Sequence, residues 1–465
     1  MRQKDSLLQS LSNLDAWLDS WKDKNSGIHG FVVHHHLDAL EFIQPDSWTQ
    51  SAAVLAHLKI FEKGSEKKFL QKAVKEAGYL AKNYDWKNHY FQNSNFEQKS
   101  KNAEIKASLI HNAYPAIALL KTALALEKGK QAARFHKAAK DCCENYIIAK
   151  CWNERKKAFT RGIAEKNPEF VLNMAANAVS ALLLLDKIEE KDENLEKYCK
   201  PCIMQILRLQ KNDGAFPYSD RSRLEISLYQ SLTMQGLLEY YNKTKDKRVE
   251  KALEKAKAWL EKMLDTETML FYHRMEKGRA FKYPEFFAGS LVIAQQVKEV
   301  EGITQGLRHS GIIAREIAKS QYSTGAFPSF HGFSDVFMPL FYPAEPGVKK
   351  WRDVIPVPGW NALALNALAN FIPENSKIPK AKIKFPGVYK SAEYTVIEGK
   401  KEVVFKGKNG KIAAKWRKSA DYCEFCTVPL RTGSGERKKH AIEALKRKSI
   451  GERAVSKIIS AFLQH

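Results

Sequence analysis

Gln210-Lys211-Asn212-Asp213-Gly214-Ala215-Phe216-Pro217 recurs 111 residues later as Gln321-Tyr322-Ser323-Thr324-Gly325-Ala326-Phe327-Pro328. Glycine permits positive φ where a helix ends, and the aromatic two residues on takes the chain back into the core. Two such turns about two helical hairpins apart are the mark of a repeat. Outward from them, apolar residues recur at helical spacing through the first 372 positions, and the helices come in pairs. The first helix of each pair starts near Asp46, Glu104, Glu169, Arg223, Pro284 and Pro358, intervals of 58, 65, 54, 61 and 74 residues. It is small and apolar: Ser51–Ile60, Ala113–Leu126, Asn173–Leu185, Leu228–Tyr240, Phe287–Gln296 and Asn361–Phe371. The second is amphipathic and rich in Lys and Glu, as in Glu66–Asn83 and Val249–Met263. A helix apolar all round is enclosed and an amphipathic one faces water, so the pattern predicts six inner and six outer helices.

That arrangement, with its Gln-x-x-(x)-Gly-x-Phe turns, resembles the α/α toroid shared by six-hairpin glycosidases, polysaccharide lyases, uronyl C5-epimerases and terpenoid cyclases. The resemblance implies an all-α (α/α)6 toroid over residues 1–375, and it specifies a fold rather than a reaction. Pro373 and Pro379 leave the last hairpin without an outer helix, and the N-terminal helix Asp5–Trp21 is expected to fill the gap.

After Pro379 the composition shifts. Residues 377–465 hold 22 Lys and Arg against eight Asp and Glu, a net of +14 out of +24 for the chain. Tyr394–Glu398, Lys401–Lys406 and Lys411–Trp416 read as strands, with Lys408-Asn409-Gly410 as a hairpin turn, and a basic helix is expected from Gly435 to Phe462. Residues 376–465 are therefore expected to form a small basic α+β module. The charge favours anionic partners, although scattered surface lysines account for part of it.

With 44% hydrophobic and 28% charged residues, the chain is neither disordered nor collagenous. Met1–Leu14 lacks an apolar run of secretory length and no run of membrane-spanning length occurs, so a cytoplasmic protein is expected. Seven cysteines, unevenly placed, are expected to be reduced. The pairs Cys199/Cys202 and Cys423/Cys426 lie too far apart to share a zinc ion. No phosphate-cradling glycine loop is present, so no cofactor is implied.

In a toroid of this kind the cleft is lined by the segments leading into the inner helices, and polar residues gather there. Tyr218, Asp220, Glu225, His273, Tyr283 and Glu285 are the candidate acids, bases and nucleophiles. Asp220 and Glu225 also suit first-turn charges at a helix N-terminus. Arg161 and Arg274, with His331, Trp152 and Trp360, are candidate substrate contacts. In Gly30-Phe31-Val32-Val33-His34-His35-His36-Leu37-Asp38, an extended chain puts His34, His36 and Asp38 on one face. That set fits a facial metal triad, but a third histidine is missing and Ala39 follows the aspartate, so polar contacts to substrate are preferred. Aromatic faces nearby suit sugar stacking, shielding of an isoprenoid cation, or core filling.

The leading expectation is a carbohydrate-active enzyme on an acidic, uronate-containing glycan, by lyase, C5-epimerase or hydrolase chemistry. Proton abstraction beside a carboxylate needs a base or acid (His273, Tyr283), cations to neutralise the carboxylate (Arg274, Arg161) and an orienting group (Glu285). Hydrolysis would instead pair Asp220 or Glu225 with Glu285. The alternative is a non-catalytic toroid whose basic module docks to nucleic acid or an anionic membrane. Isoprenoid cyclisation is third, because the acidic runs it needs are absent.

Overall fold

The computed structural model describes residues 3–34, 39–43, 47–91, 108–162, 168–276, 279–280, 287–304, 309–329, 354–391, 394–407, 409–418, 423–426 and 430–431. Along these run twelve α-helices: α1 Gln3–Asp19, α2 Ser47–Gly64, α3 Lys67–Lys82, α4 Ile110–Leu126, α5 Lys130–Cys142, α6 Leu172–Glu189, α7 Lys200–Leu209, α8 Ser227–Thr244, α9 Lys247–Lys262, α10 Phe287–Glu301, α11 Ser310–Ala318 and α12 Pro358–Phe371. π-Helical turns continue α5 through Cys151 and precede α7 from Leu195. The expected inner helices are α2, α4, α6, α8, α10 and α12, each starting within a few residues of its predicted position. They touch in a closed cycle, α12 against α2. Alanine-rich faces such as Ala113, Ala116 and Ala118 on α4 or Ala362, Ala364 and Ala367 on α12 are fully enclosed. The outer helices α3, α5, α7, α9 and α11 bury one stripe each, as Val249, Ala252, Leu253 and Ala256 do on α9.

Among the described residues the positive-φ turn of Gly214 and Gly325 occurs six times rather than twice. Ser26, His89, Lys157, Gly214, Met269 and Gly325 all have positive φ. Each stands two residues before a buried apolar residue: Ile28, Phe91, Phe159, Phe216, Phe271 and Phe327. At five of these the next inner helix accepts the backbone N–H of the buried residue. Gln50 takes that of Ile28 (3.1 Å), Asn112 that of Phe91 (2.7 Å), Gln230 that of Phe216 (2.7 Å), Ser290 that of Phe271 (3.2 Å) and Asn361 that of Phe327 (2.7 Å). Buried N–H groups at the bend are thereby satisfied.

Glycine is required at two of the six. A Cβ on Gly214 would lie 2.1 Å from the Lys255 carbonyl oxygen of α9, and one on Gly325 would lie 2.3 Å from the Asn13 carbonyl oxygen of α1. The preceding glutamines repeat the correspondence. Gln210 Nε2 donates to the carbonyls of Gly214 and Ala252, and Gln321 Nε2 to those of Gly325 and Ser10. Helix α1 thus stands to the second turn as outer helix α9 stands to the first, and it occupies the sixth outer position, against α11 and α12.

Its tie to the first hairpin is ionic. His57, buried on α2, places Nε2 2.8 Å from Asp15 Oδ1 of α1 and Nδ1 2.7 Å from Glu76 Oε2 of α3. Lys72 reaches Asp15 at 2.6 Å and Lys22 reaches Glu76 at 2.7 Å. Burial opposes charge on the ring, but the Glu76 and Asp15 carboxylates outweigh it and hold His57 above its ordinary 6.5. Burial likewise opposes charge on both carboxylates, and His57 with the lysines reverses it, leaving them below their ordinary values.

After α12 the chain runs back along α1, where Ser12 Oγ donates to the Pro379 carbonyl and Lys382 N–H donates to Asn13 Oδ1. A five-stranded antiparallel sheet follows in chain order: Gly387–Lys390, Tyr394–Glu398, Glu402–Gly407, Ile412–Arg417 and Cys423–Cys426. The three expected strands are present, with one more on each side, and Gly410 has the positive φ its turn requires. The sheet packs on α1: buried Glu398 accepts from Trp17 Nε1 (2.7 Å), Lys418 Nζ (2.6 Å) and the Tyr389 hydroxyl. Leu430–Arg431 pairs in parallel with Ala39–Ile43 of the hairpin that leads into α2. The expected basic helix, 435–462, lies outside the described residues.

The raised His57 contributes stability that is complete below pH 6.5 and is lost as pH climbs through its raised pKa. Asp15 and Glu76 contribute above their ordinary 3.8 and 4.5, and lose that contribution as pH falls through their lowered values. His57→Gln should therefore cost about 3 kcal/mol or more near pH 6, leaving carboxylates buried without their partner. Melting curves should show the gap to the parent protein narrowing as pH rises above 6.5; a constant gap contradicts the ionic clasp. Gly325→Ala should destabilise by about 1–3 kcal/mol, whereas Met269→Gly at an equivalent turn should be neutral or slightly stabilising by thermal melting.

Candidate active site

The inner helices are all entered from one end of the ring, the mouth. Here the inner helices present their N-termini, whose first N–H groups lack helical partners, and the chain is free of helix-packing duties. The segment 216–227 is described throughout, and it meets its neighbours on both sides. Toward α6, the Asp220 N–H donates to the Phe170 carbonyl and Asp220 Oδ1 accepts from the Phe170 N–H. Toward α10, Glu225–Ile226 pairs antiparallel with Arg274–Met275, and the Ser227 N–H donates to the His273 carbonyl. Five predicted residues, Tyr218, Asp220, Glu225, His273 and Arg274, thus belong to one continuous rim.

Their side chains divide. Asp220 is exposed and its carboxylate meets Lys156, in the hairpin that follows α5. Glu225 is buried and meets Lys211, in the turn that follows α7. Both carboxylates are held by lysines of outer-ring connections. Tyr218 lies against Tyr229 of α8, ring centroids 5.3 Å apart. Arg161 stands 3.8 Å from Glu169, whose other oxygen takes the Ser219 hydroxyl. His273 is buried and Arg274 half-buried beside it. Trp360 sits half-buried in the first turn of α12. Trp152 is in the wall instead: its ring packs on Phe159 and Tyr198, and its Nε1 donates to Glu154. The strand Gly30–His34 ends at His34, and His36, Asp38, Tyr283, Glu285 and His331 lie outside the described residues.

One residue that the sequence did not single out reaches across the ring. Tyr114 of α4 donates its hydroxyl to Gln235 Oε1 of α8 at 3.2 Å, although α6 lies between these helices in chain order. Burial pushes its phenol up, so it remains a donor. Trp48 of α2 packs on Tyr114 edge-on and on His111, with centroids 6.3 and 6.4 Å away. His111 and Tyr114 sit inside an apolar helical run, where the sequence signals only core.

Cys199 and Cys202 are buried, and burial pushes Cys202 up to about 12, which suits inert thiols. Among the described residues no helix is long and apolar enough to cross a membrane, and no cluster of three or more His, Cys, Asp or Glu is arranged to hold a metal.

The same architecture is found in solved structures. The chain is similar to an unsaturated glucuronyl hydrolase specific for heparin (12% identity, 79% of this chain and 96% of that one, TM-score 0.56). It is similar to cellobiose 2-epimerase from Bacillus thermoamylovorans (12% identity, 76% and 95%, TM-score 0.56). It is also similar to a GH76 alpha-mannanase from Bacteroides thetaiotaomicron (10% identity, 79% and 95%, TM-score 0.54). No protein-family model matches the chain, and no curated protein matches it in sequence. The fold is therefore the (α/α)6 toroid.

If Lys211 anchors Glu225, the two side chains are thermodynamically coupled. Lys211→Met and Glu225→Gln should each lower the unfolding free energy, and the loss in the double variant should fall short of their sum by about 1 kcal/mol. Additive losses would free Glu225 from this role.

Proposed function

We propose that the protein is a carbohydrate-active enzyme that acts on an acidic, uronate-bearing glycan at the toroid mouth. The observation that carries this reading is the gathering of Arg161, Tyr218, His273 and Arg274 in the segments that enter the inner helices of a toroid. The solved toroids it resembles are, by name, a glucuronyl hydrolase, a disaccharide epimerase and a mannanase, which supports a sugar substrate. Guanidinium groups suit a substrate carboxylate, since they match it with paired donors and neutralise the charge that builds up when a proton leaves the adjacent carbon.

In this reading His273 and Tyr283 form the proton-transfer pair, with Glu285 orienting, while lysines engage Asp220 and Glu225. His34, His36, Asp38, His331 and Trp360 complete the rim in this reading. Hydrolysis through Glu285 with Asp220 or Glu225 is the competing chemistry within the same class.

The net charge of +14 on residues 377–465 favours a second reading, in which a module with its boundary near residue 376 binds nucleic acid or an anionic membrane. Retention on heparin that falls steeply with salt, and that truncation after residue 375 removes, would support polyanion docking.

Turnover should be measured on saturated and unsaturated uronyl oligosaccharides beside cellobiose and mannan, with products identified by mass. Turnover confined to uronyl substrates is expected. Tyr283→Phe and Glu285→Gln should each lose about 100-fold or more in kcat without a change in melting temperature. Full activity in both variants would remove these residues from the site, and turnover of neutral glycans alone would overturn the acidic-substrate reading.

A further inference from the structure

The end of the ring opposite the mouth holds a cavity of about 450 Å3, formed by the C-terminal halves of α2, α4, α8, α10 and α12. That volume lies within the range of small-ligand sites. Its lining is unusual for the centre of a helical ring, where apolar side chains would fill the axis. Amides of Gln235, Gln296, Asn366 and Asn370 face it, together with the Lys121–Glu239 pair, 3.4 Å apart, that spans from α4 to α8. Leu58, Ile117 and Leu238 supply an apolar patch between them, and none of the described lining residues is aromatic.

Gln296 points to a ligand. It is only 2% exposed, and its Oε1 has no hydrogen-bond partner, a costly condition for a buried acceptor. An incoming O–H would satisfy it. The inner helices also end here, so their unpaired carbonyls face this end of the ring and favour donors over anions. Lys59 and Lys121 pair with Glu62 and Glu239, and Glu299 adds a third carboxylate, so the lining has no cationic excess to draw an acid. A hydroxyl both donates and accepts, which suits a wall of amides and ion pairs, while the C–H face of a sugar ring suits Leu58, Ile117 and Leu238. Without aromatic lining, a flat heterocycle has nothing to stack on.

We propose that this cavity is a second ligand site, separate from the mouth, that takes a neutral mono- or disaccharide. The Tyr114–Gln235 hydrogen bond lies across the axis between the two ends. The ligand therefore reaches the cavity from the far end of the ring. The inference does not depend on which reaction the mouth performs.

The test is titration of the full chain with D-glucose, D-mannose and cellobiose, followed by calorimetry or ligand-observed NMR, with glucuronate and spermidine as acidic and cationic comparisons. Saturable binding of at least one neutral sugar is expected. It should weaken tenfold or more in Gln296→Leu and, independently, in Asn366→Leu, and persist in Tyr283→Phe at the mouth. Melting curves identify a variant that has lost its fold, and the other variant then decides. Absence of binding by any neutral probe, binding of glucuronate or spermidine that exceeds that of the neutral sugars and is lost in the cavity variants, neutral-sugar binding indifferent to both cavity variants, or loss of binding in Tyr283→Phe would each overturn the proposal.

Discussion

The imidazole of His57 lies between the carboxylates of Asp15 and Glu76, and through it the closure of the double ring is fixed. Five inner helices have an outer partner that follows them directly in the chain. The sixth, α12, is followed by Pro373 and an extended run, so the gap beside it must be closed by a helix from elsewhere. Hydrophobic contact alone would bring α1 there without fixing its rotation or its height. Buried charges do fix them, because a carboxylate moved away from its partner in such a setting is penalised by several kcal/mol. Lys22 and Lys72 occupy further carboxylate oxygens, so the cluster is satisfied only in one arrangement of α1, α2 and α3.

The opposite side of α1 is fixed by a comparable device. Glu398 gathers Trp17, Lys418 and Tyr389, and Tyr389 in turn meets Thr324 within the second glycine turn. Leu11, Leu14, Trp17, Leu18 and Trp21 are consequently all buried, although other outer helices keep one face in water. Helix α1 serves as an outer helix of the ring and as the surface on which the sheet is built. The mouth inherits its shape from this closure, since Gly325 leads from the same turn to Phe327 and on toward α12.

How far the sequence speaks depends on whether a position is constrained by something local. Helix periodicity is local, and the six inner helices were legible to within a few residues. The positive-φ turns were legible only where a neighbouring backbone forbids a side chain, at Gly214 and Gly325. At Ser26, His89, Lys157 and Met269 the same conformation carries a Cβ without collision, and residue type no longer reports it. The His57 clasp was illegible because Asp15, His57 and Glu76 are each unremarkable in their own helices, and only the ring brings them together. For the mouth, the sequence singled out the segments that enter the inner helices, since polarity departs from the helical pattern there. It did not show that lysines from outer connections would take up Asp220 and Glu225, and it could not separate Tyr114 from the core. Which end of the ring a polar inner-helix residue faces depends on its height along the helix, and that is how Gln235, Gln296 and Asn366 escaped notice.

The bond between Trp17 and Glu398 joins residues 381 positions apart. On a ribosome adding about 5–20 residues per second, roughly 20 to 80 s pass between the synthesis of its two partners. During that interval α1 can already lean on α2 and α3, because Asp15, His57 and Glu76 all belong to the first 80 residues. Its other face, with Trp17 and its neighbouring leucines, must wait in water or against a chaperone until the last hairpin and the sheet arrive. A long-range closure of this kind slows folding and prolongs the exposure of apolar surface. The early ionic contact acts as a placeholder that keeps the first helix at its station while the rest of the circle is still being made.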